Sequence, residues 1–160
     1  MCRVVSWVFD CTTQDVPRAR RVVRQVLQTW EVPDADPARG VWGDLELVVG
    51  EVAGNAARFC TGSFRLTLEV HREHVRLDVL DEGPSTEPLR LTSAPPALDA
   101  ESGRGLSIVA ALASQWGAER VSTSVAGGSG TRVWAQFPFP SASPHFSRSC
   151  RLVAARPADG

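Results

Sequence analysis

Two spacings of apolar residues alternate along this chain. Residues 4–9, VVSWVF, crowd apolar side chains into a short run and predict a strand. From Pro17 the spacing becomes helical: in PRARRVVRQVLQTW, Ala19, Val22, Val23, Val26, Leu27 and Trp30 share one face and arginines take the other. Asp15 precedes this segment as its candidate cap. After the loop EVPDADPARG, a second helix is expected from about Trp42 to Phe59, with a stripe of Leu45, Val48, Val49, Val52, Ala56 and Phe59. The period then changes to two. Phe64, Leu66, Leu68 and Val70 alternate in FRLTLEV, and Val75, Leu77 and Val79 in VRLDVLD, with a turn near Arg72–Glu73. Arg65, Thr67, Glu69, Arg76 and Asp78 fall on the other face. Asp81 is in phase with the buried set, so a carboxylate ends a strand on the covered side of the sheet.

Residues 82–103, EGPSTEPLRLTSAPPALDAESG, break both periods and are long for a loop inside a compact domain, as functional lids are. A third helix is expected from about Arg104 to Trp116, carrying Leu106, Ile108, Val109, Leu112 and Ala113. RVSTSV and TRVWAQFPF then read as a hairpin across AGGSG. The stretch after Pro140 is rich in Ser, Pro and Arg and is expected to be a mobile tail over 140–160, leaving one domain over 1–139. The element order predicts an α/β (α+β) two-layer sandwich, with helices on one face of a mixed, mostly antiparallel sheet.

Composition narrows the function classes. A chain of 160 residues with 43% hydrophobic residues can bury a real core. A net charge of −1 gives no broad electrostatic footprint for nucleic acid or a membrane surface. No apolar run approaches a membrane span, and MCRVVSWVFD lacks the layout of a secretory signal, so a cytoplasmic location is expected. Cys2, Cys11, Cys60 and Cys150 form no C-x-x-C pair; reduced thiols are the plainer reading, and their spacing argues against zinc. His71 and His74, in HREH, read as polar hairpin residues rather than metal ligands.

Candidate chemistry lies at the edges of these elements. Glu51 and Asn55 are four apart and share one edge of the second helix's stripe. Taken alone, they read as a solvated pair on a helix flank. Three further features stand beside them. In DEG, Asp81 is followed closely by Gly83, which allows close backbone approach by a ligand. In SGRGL, Gly103 and Gly105 flank Arg104 at a helix start, where free N–H groups and the dipole favour phosphate. GGSGT, ending in Thr131, is by itself an ordinary hairpin turn.

In this order, EVAGN, DEG, SGRGL and GT resemble the boxes of the GHKL ATP-binding superfamily over residues 12–139, and most closely its anti-sigma-factor serine kinases. The resemblance implies a Bergerat-type fold binding ATP with Mg²⁺. It implies that Asn55 holds the metal, Glu51 acts as base toward an acceptor hydroxyl, and Asp81 takes the adenine amino proton. By the same resemblance Gly83, Gly103, Arg104, Gly105 and Leu106 line the nucleotide, and Thr131 supports its adenine end. A sigma factor, or an antagonist of the anti-sigma factor, would be the protein partner. Ser85 stands two places after Gly83, where the superfamily has a further glycine, with Pro84 between, and Phe59 where this branch often has a basic or His residue. A nucleotide-gated binding module without turnover is the alternative. A histidine-kinase fragment fits less well, since no helical phosphoacceptor His precedes the domain. The related kinases are dimers, and VVSWVF points the same way: Val4 and Val8 on one side, and Val5, Trp7 and Phe9 on the other, would make an open edge strand sticky on both faces.

Overall fold

Alternation in the two central strands sets the architecture, because it gives them one face that is apolar except at Asp81. A computed structural model of the protein describes residues 2–32, 40–60, 62–71, 73–81, 104–122, 129–139, 150–152 and 156–157. In chain order the elements are β1 (Cys2–Asp10), α1 (Asp15–Thr29), α2 (Val41–Phe59), β2 (Ser63–Val70), β3 (His74–Asp81), α3 (Arg104–Leu112), β4 (Gln115–Ser122), β5 (Ser129–Pro138), β6 (Cys150–Leu152) and β7 (Arg156–Pro157). The sheet runs β4-β5-β3-β2-β1-β6, with β7 also on β1. Contacts among β1 to β5 are antiparallel, whereas β6 and β7 add to β1 in parallel. This is the expected α+β sandwich.

Register carries the sidedness across the sheet. Leu66 pairs with Trp7 and Val79, Leu68 with Val5 and Leu77, and Leu77 in turn with Ala135. All of these are buried, as are Leu45, Val48, Val49, Val52, Ala53 and Ala56 of α2. Removing each Val or Leu side chain from water stabilises the fold by about 1.5–3 kcal/mol. Helix α1 packs beside α2, where the Arg20 guanidinium occupies the space that a side chain on Gly50 would need. Arg24 also forks onto Glu46, with Nε–Oε1 at 2.5 Å and a second nitrogen to Oε2 at 2.6 Å.

Several expectations are corrected. Trp116 does not end α3. The helix stops at Leu112, the Ser114 N–H bonds Gln136 O at 2.9 Å, and Trp116 pairs with Ala135 in β4. Phe59 belongs to α2 but not to its buried stripe: it is 44% exposed, with the Arg58 guanidinium carbon 5.5 Å from its ring centroid. Asp15 is not the cap. It lies in the first turn of α1, buried, accepting from the Thr12 hydroxyl at 2.5 Å. Asp78 points to the outer face, as its phase requires, yet Arg132 (Nε–Oδ2, 2.8 Å) and Arg76 bury it.

The cysteines are corrected too. Cys11 and Cys60 form a disulfide with their Cα atoms 6.0 Å apart, because the fold brings the β1–α1 connection against the end of α2. Nor is β1 an open edge. Residues 150–152 pair with Cys2–Val4, and Arg156 and Pro157 with Trp7 and Val8. Val4 and Trp7 are buried within the single chain, while Val8 is 39% exposed. The rest of the tail and the lid segment 82–103 lie outside the described residues. No helix among the described residues is long and apolar enough to cross a membrane.

One glycine of α2 provides a direct check. A Cβ built on Gly54 meets nothing within 4 Å, so Gly54→Ala carries only the helix-propensity gain. It should raise unfolding stability by about 0.5–1 kcal/mol, read as a higher urea midpoint at unchanged m-value.

Candidate functional site

The site begins on α2. The buried residues Val52, Ala53 and Ala56 fix the rotation of the helix against the sheet, and that rotation puts Glu51 half-buried and Asn55 exposed at the flank. The start of α3 meets this flank. Gly105 is buried there, and a Cβ on it would sit 3.1 Å from Asn55 Nδ2 and 3.2 Å from Glu51 Oε2. A Cβ there would be tight, and the Glu51 and Asn55 side chains would have to give by a few tenths of an ångström. The first turn of an α-helix also offers backbone N–H groups without intrahelical partners, which suits an anion. Glu51 and Asn55 thus share one junction with Gly105, 50 positions beyond Asn55 in the sequence.

The second half of the site lies on the sheet. Asp81 ends β3 on the helix-covered face and is only 9% exposed. The Thr131 N–H of β5 donates to its Oδ1 at 2.7 Å. Burial pushes the Asp81 carboxyl above the usual carboxylate range; the Thr131 N–H and the charge of Arg120 pull the other way. Arg120 is the residue that sequence reading missed. It is the cross-strand partner of Thr131, so both belong to the face that carries Asp81. Its phase in β4 was the available signal, but that phase is legible only once the strand is known to begin at Gln115.

Among the candidates, Glu51, Asn55 and Gly105 are brought together, and Asp81 and Thr131 are joined by a hydrogen bond. Leu106 is half-buried in the first turn of α3, and Arg104 opens that helix. Gly83 and Gly103 lie outside the described residues.

A histidine kinase-like ATPase domain model matches residues 9–137. The chain belongs to that family. The match runs from the end of β1 to β5, so it takes in every described candidate residue. Family membership makes this GHKL-type chain an ATP-binding, kinase-like regulatory domain. Among solved structures it is similar to a mycobacterial sensor histidine kinase, MprB, at 17% identity and a TM-score of 0.40, covering 82% of this chain and 99% of that one. No curated protein matches it.

The described residues of this GHKL domain fit the nucleotide and metal that the family implies. Asn55 offers an amide oxygen of the hard kind Mg²⁺ takes. Gly105 brings the start of α3 close against Glu51 and Asn55, beside the N–H groups of its first turn. One oxygen of Asp81 is held by Thr131, which orients the carboxylate as an acceptor.

Two outcomes follow. Gly105→Ala should push the Glu51 and Asn55 side chains aside, so ATP affinity measured by calorimetry should fall while stability moves by less than about 1 kcal/mol. Asp81→Asn should be at least as stable as the parent at neutral pH, since it removes a buried charge and still accepts from Thr131. The sign follows from the raised carboxyl: its stabilising contribution is complete below the unfolded carboxylate value and is lost as pH rises through the folded one. The advantage of Asp81→Asn in urea unfolding should therefore shrink from pH 7 toward pH 4. A parent advantage that grows with pH would contradict a carboxyl shifted upward by burial.

Proposed function

We propose that this chain is an Mg-ATP-dependent serine/threonine protein kinase of the partner-switching kind, acting on an antagonist protein and holding a sigma factor. The observation that carries this reading is the convergence of Glu51 and Asn55 on Gly105 at the start of α3, with Asp81 oriented by Thr131 on the sheet. In this reading Asn55 lends its amide oxygen to the metal, and the first turn of α3 offers N–H groups to the phosphates. Mg²⁺, when bound, neutralises phosphate charge. Glu51 orients the acceptor hydroxyl and takes its proton, a role suited to a carboxylate one helical turn from the metal ligand. Asp81 accepts from the adenine amino group. Guanine would present an oxygen at that place, and two facing acceptors are unfavourable.

Self-association as a homodimer is part of the proposal through the likeness to dimeric kinases. It no longer has the support of a bare β1 edge, since β6 and β7 pair there.

Glu51 and Asn55 separate binding from turnover. Asn55→Ala should weaken Mg-dependent ATP binding and transfer together. Glu51→Gln should bind ATP nearly as the parent does and slow transfer to a serine acceptor by roughly 10²–10⁴-fold. Asp81→Asn should weaken ATP binding by about 1.5–3 kcal/mol, the worth of a hydrogen bond to a charged group. Radiolabel transfer to a co-purified antagonist, with circular dichroism of each variant, provides the measurement. Parent-rate transfer by Glu51→Gln removes Glu51 as the base. A parent that binds ATP and labels no partner leaves a nucleotide-gated binding module.

A further inference from the structure

The Cys11–Cys60 pair lies outside the chemistry proposed for the nucleotide, yet it grips the helix that carries that chemistry. Cys60 is the C-terminal cap of α2, where its N–H bonds Ala56 O at 2.9 Å, five residues beyond Asn55. Cys11 opens the short connection from β1 to α1. That connection is itself well tied, by Thr12 N–H to Asp10 O at 2.8 Å and by the Thr12 hydroxyl to Asp15 at 2.5 Å. The disulfide therefore joins a rigid anchor to a helix end. Besides the disulfide, that end is held by Ala56 in the core and by Ala57 and Cys60, half-buried against it, while Arg58 and Phe59 are exposed. A Cα separation of 6.0 Å is ordinary for a disulfide, so neither backbone must move for the bond to form. Both cysteines are half-buried, packed against the core but not sealed within it.

We propose that Cys11 and Cys60 are a thiol–disulfide exchange site, and that its state sets how firmly the last turns of α2, and with them Asn55, are held. The substrate class is a low-molecular-weight disulfide. In the forward direction the two cysteine thiols lose two electrons and two protons, and the small disulfide gains them to become two thiols. The reverse exchange opens the bond. Opening it frees a loop that spans 49 positions and encloses α1 and α2, and leaves the C-terminal turn of α2 to fray. The consequence for Mg-ATP rests on the nucleotide-binding reading of Asn55 given above; the exchange and its effect on α2 do not.

The test uses the full chain with Cys2→Ser and Cys150→Ser. Those residues are cross-strand partners between β1 and β6 and would otherwise offer a second pairing. The protein is equilibrated in glutathione buffers of graded ratio, trapped by alkylation, and followed by mass spectrometry, thermal melting and hydrogen exchange of residues 51–60. The expected result is one oxidation midpoint for the Cys11–Cys60 crosslink. On reduction, melting should fall by about 10 °C and exchange should quicken in the last turns of α2. Cys60→Ser should stay in the reduced-like state in every buffer. Mg-ATP affinity should fall about three- to tenfold on reduction. A pair that stays reduced throughout, or a crosslink that leaves exchange of α2 unchanged, overturns the proposal. Equal ATP affinity in both states overturns the link to the nucleotide. No ATP binding in either state overturns the nucleotide reading instead, and the exchange measurement then decides the cysteine site on its own.

Discussion

Everything in this structure depends on one contact, the face of α2 against the middle strands of the sheet. Leu45, Val48, Val49, Val52, Ala53 and Ala56 are buried in the core that β2 and β3 floor with Phe64, Leu66, Leu68, Val70, Val75, Leu77 and Val79. A helix with that many buried positions has one rotation about its axis, because turning it would expose apolar surface that stabilises the fold by about 25 cal/mol per Å². The same rotation delivers Glu51 and Asn55 to the flank. Their placement needs no interaction of their own.

Asp81 shows the opposite arrangement. It occupies an apolar phase of β3, so the strand that builds the core also buries a carboxylate. Burial raises the cost of its charge, and one backbone N–H with a nearby guanidinium only partly offsets it. A carboxylate at this position costs the fold stability. The surrounding apolar pairs tolerate it because Asp81 is the last residue of the strand, where a neighbouring strand can offer an N–H without breaking a ladder bond.

Much of this was legible in the sequence, and the reason is locality. The stripe of α2, the alternation of β2 and β3, and the phase of Asp81 each depend on residues within one element, where period and burial are tightly coupled. What was not legible depends on partners far along the chain. Trp116 looked like the last apolar position of a helix because nothing nearby shows that Gln136 would capture Ser114 and Ala135 would pair with Trp116. Phe59 extended the stripe by arithmetic, but in the last turn of α2 it faces solvent beside Arg58. Cys11 and Cys60 gave no motif because a disulfide across 49 positions has no local signature. Asp78 was placed on the correct face, but its burial under Arg132 and Arg76 needed β5 as well as β3.

Seen together, the constraints divide the molecule by how much each part may move. The core sets the rotation of α2 and the end of β3, so the backbone positions of Glu51, Asn55 and Asp81 follow from it, and the Cys11–Cys60 bond adds a second hold on the last turns of α2. The start of α3 is fixed differently. It approaches α2 through Gly105, against the polar ends of Glu51 and Asn55 rather than against a bed of apolar side chains. Its deepest apolar anchor is Val109, one turn further on. Packing of this kind holds the helix in position while leaving its first turn governed by polar contacts, which exchange readily with those of a ligand. In the site we propose, α2 and β3 thus supply geometry, and the first turn of α3 lies where the core's grip ends.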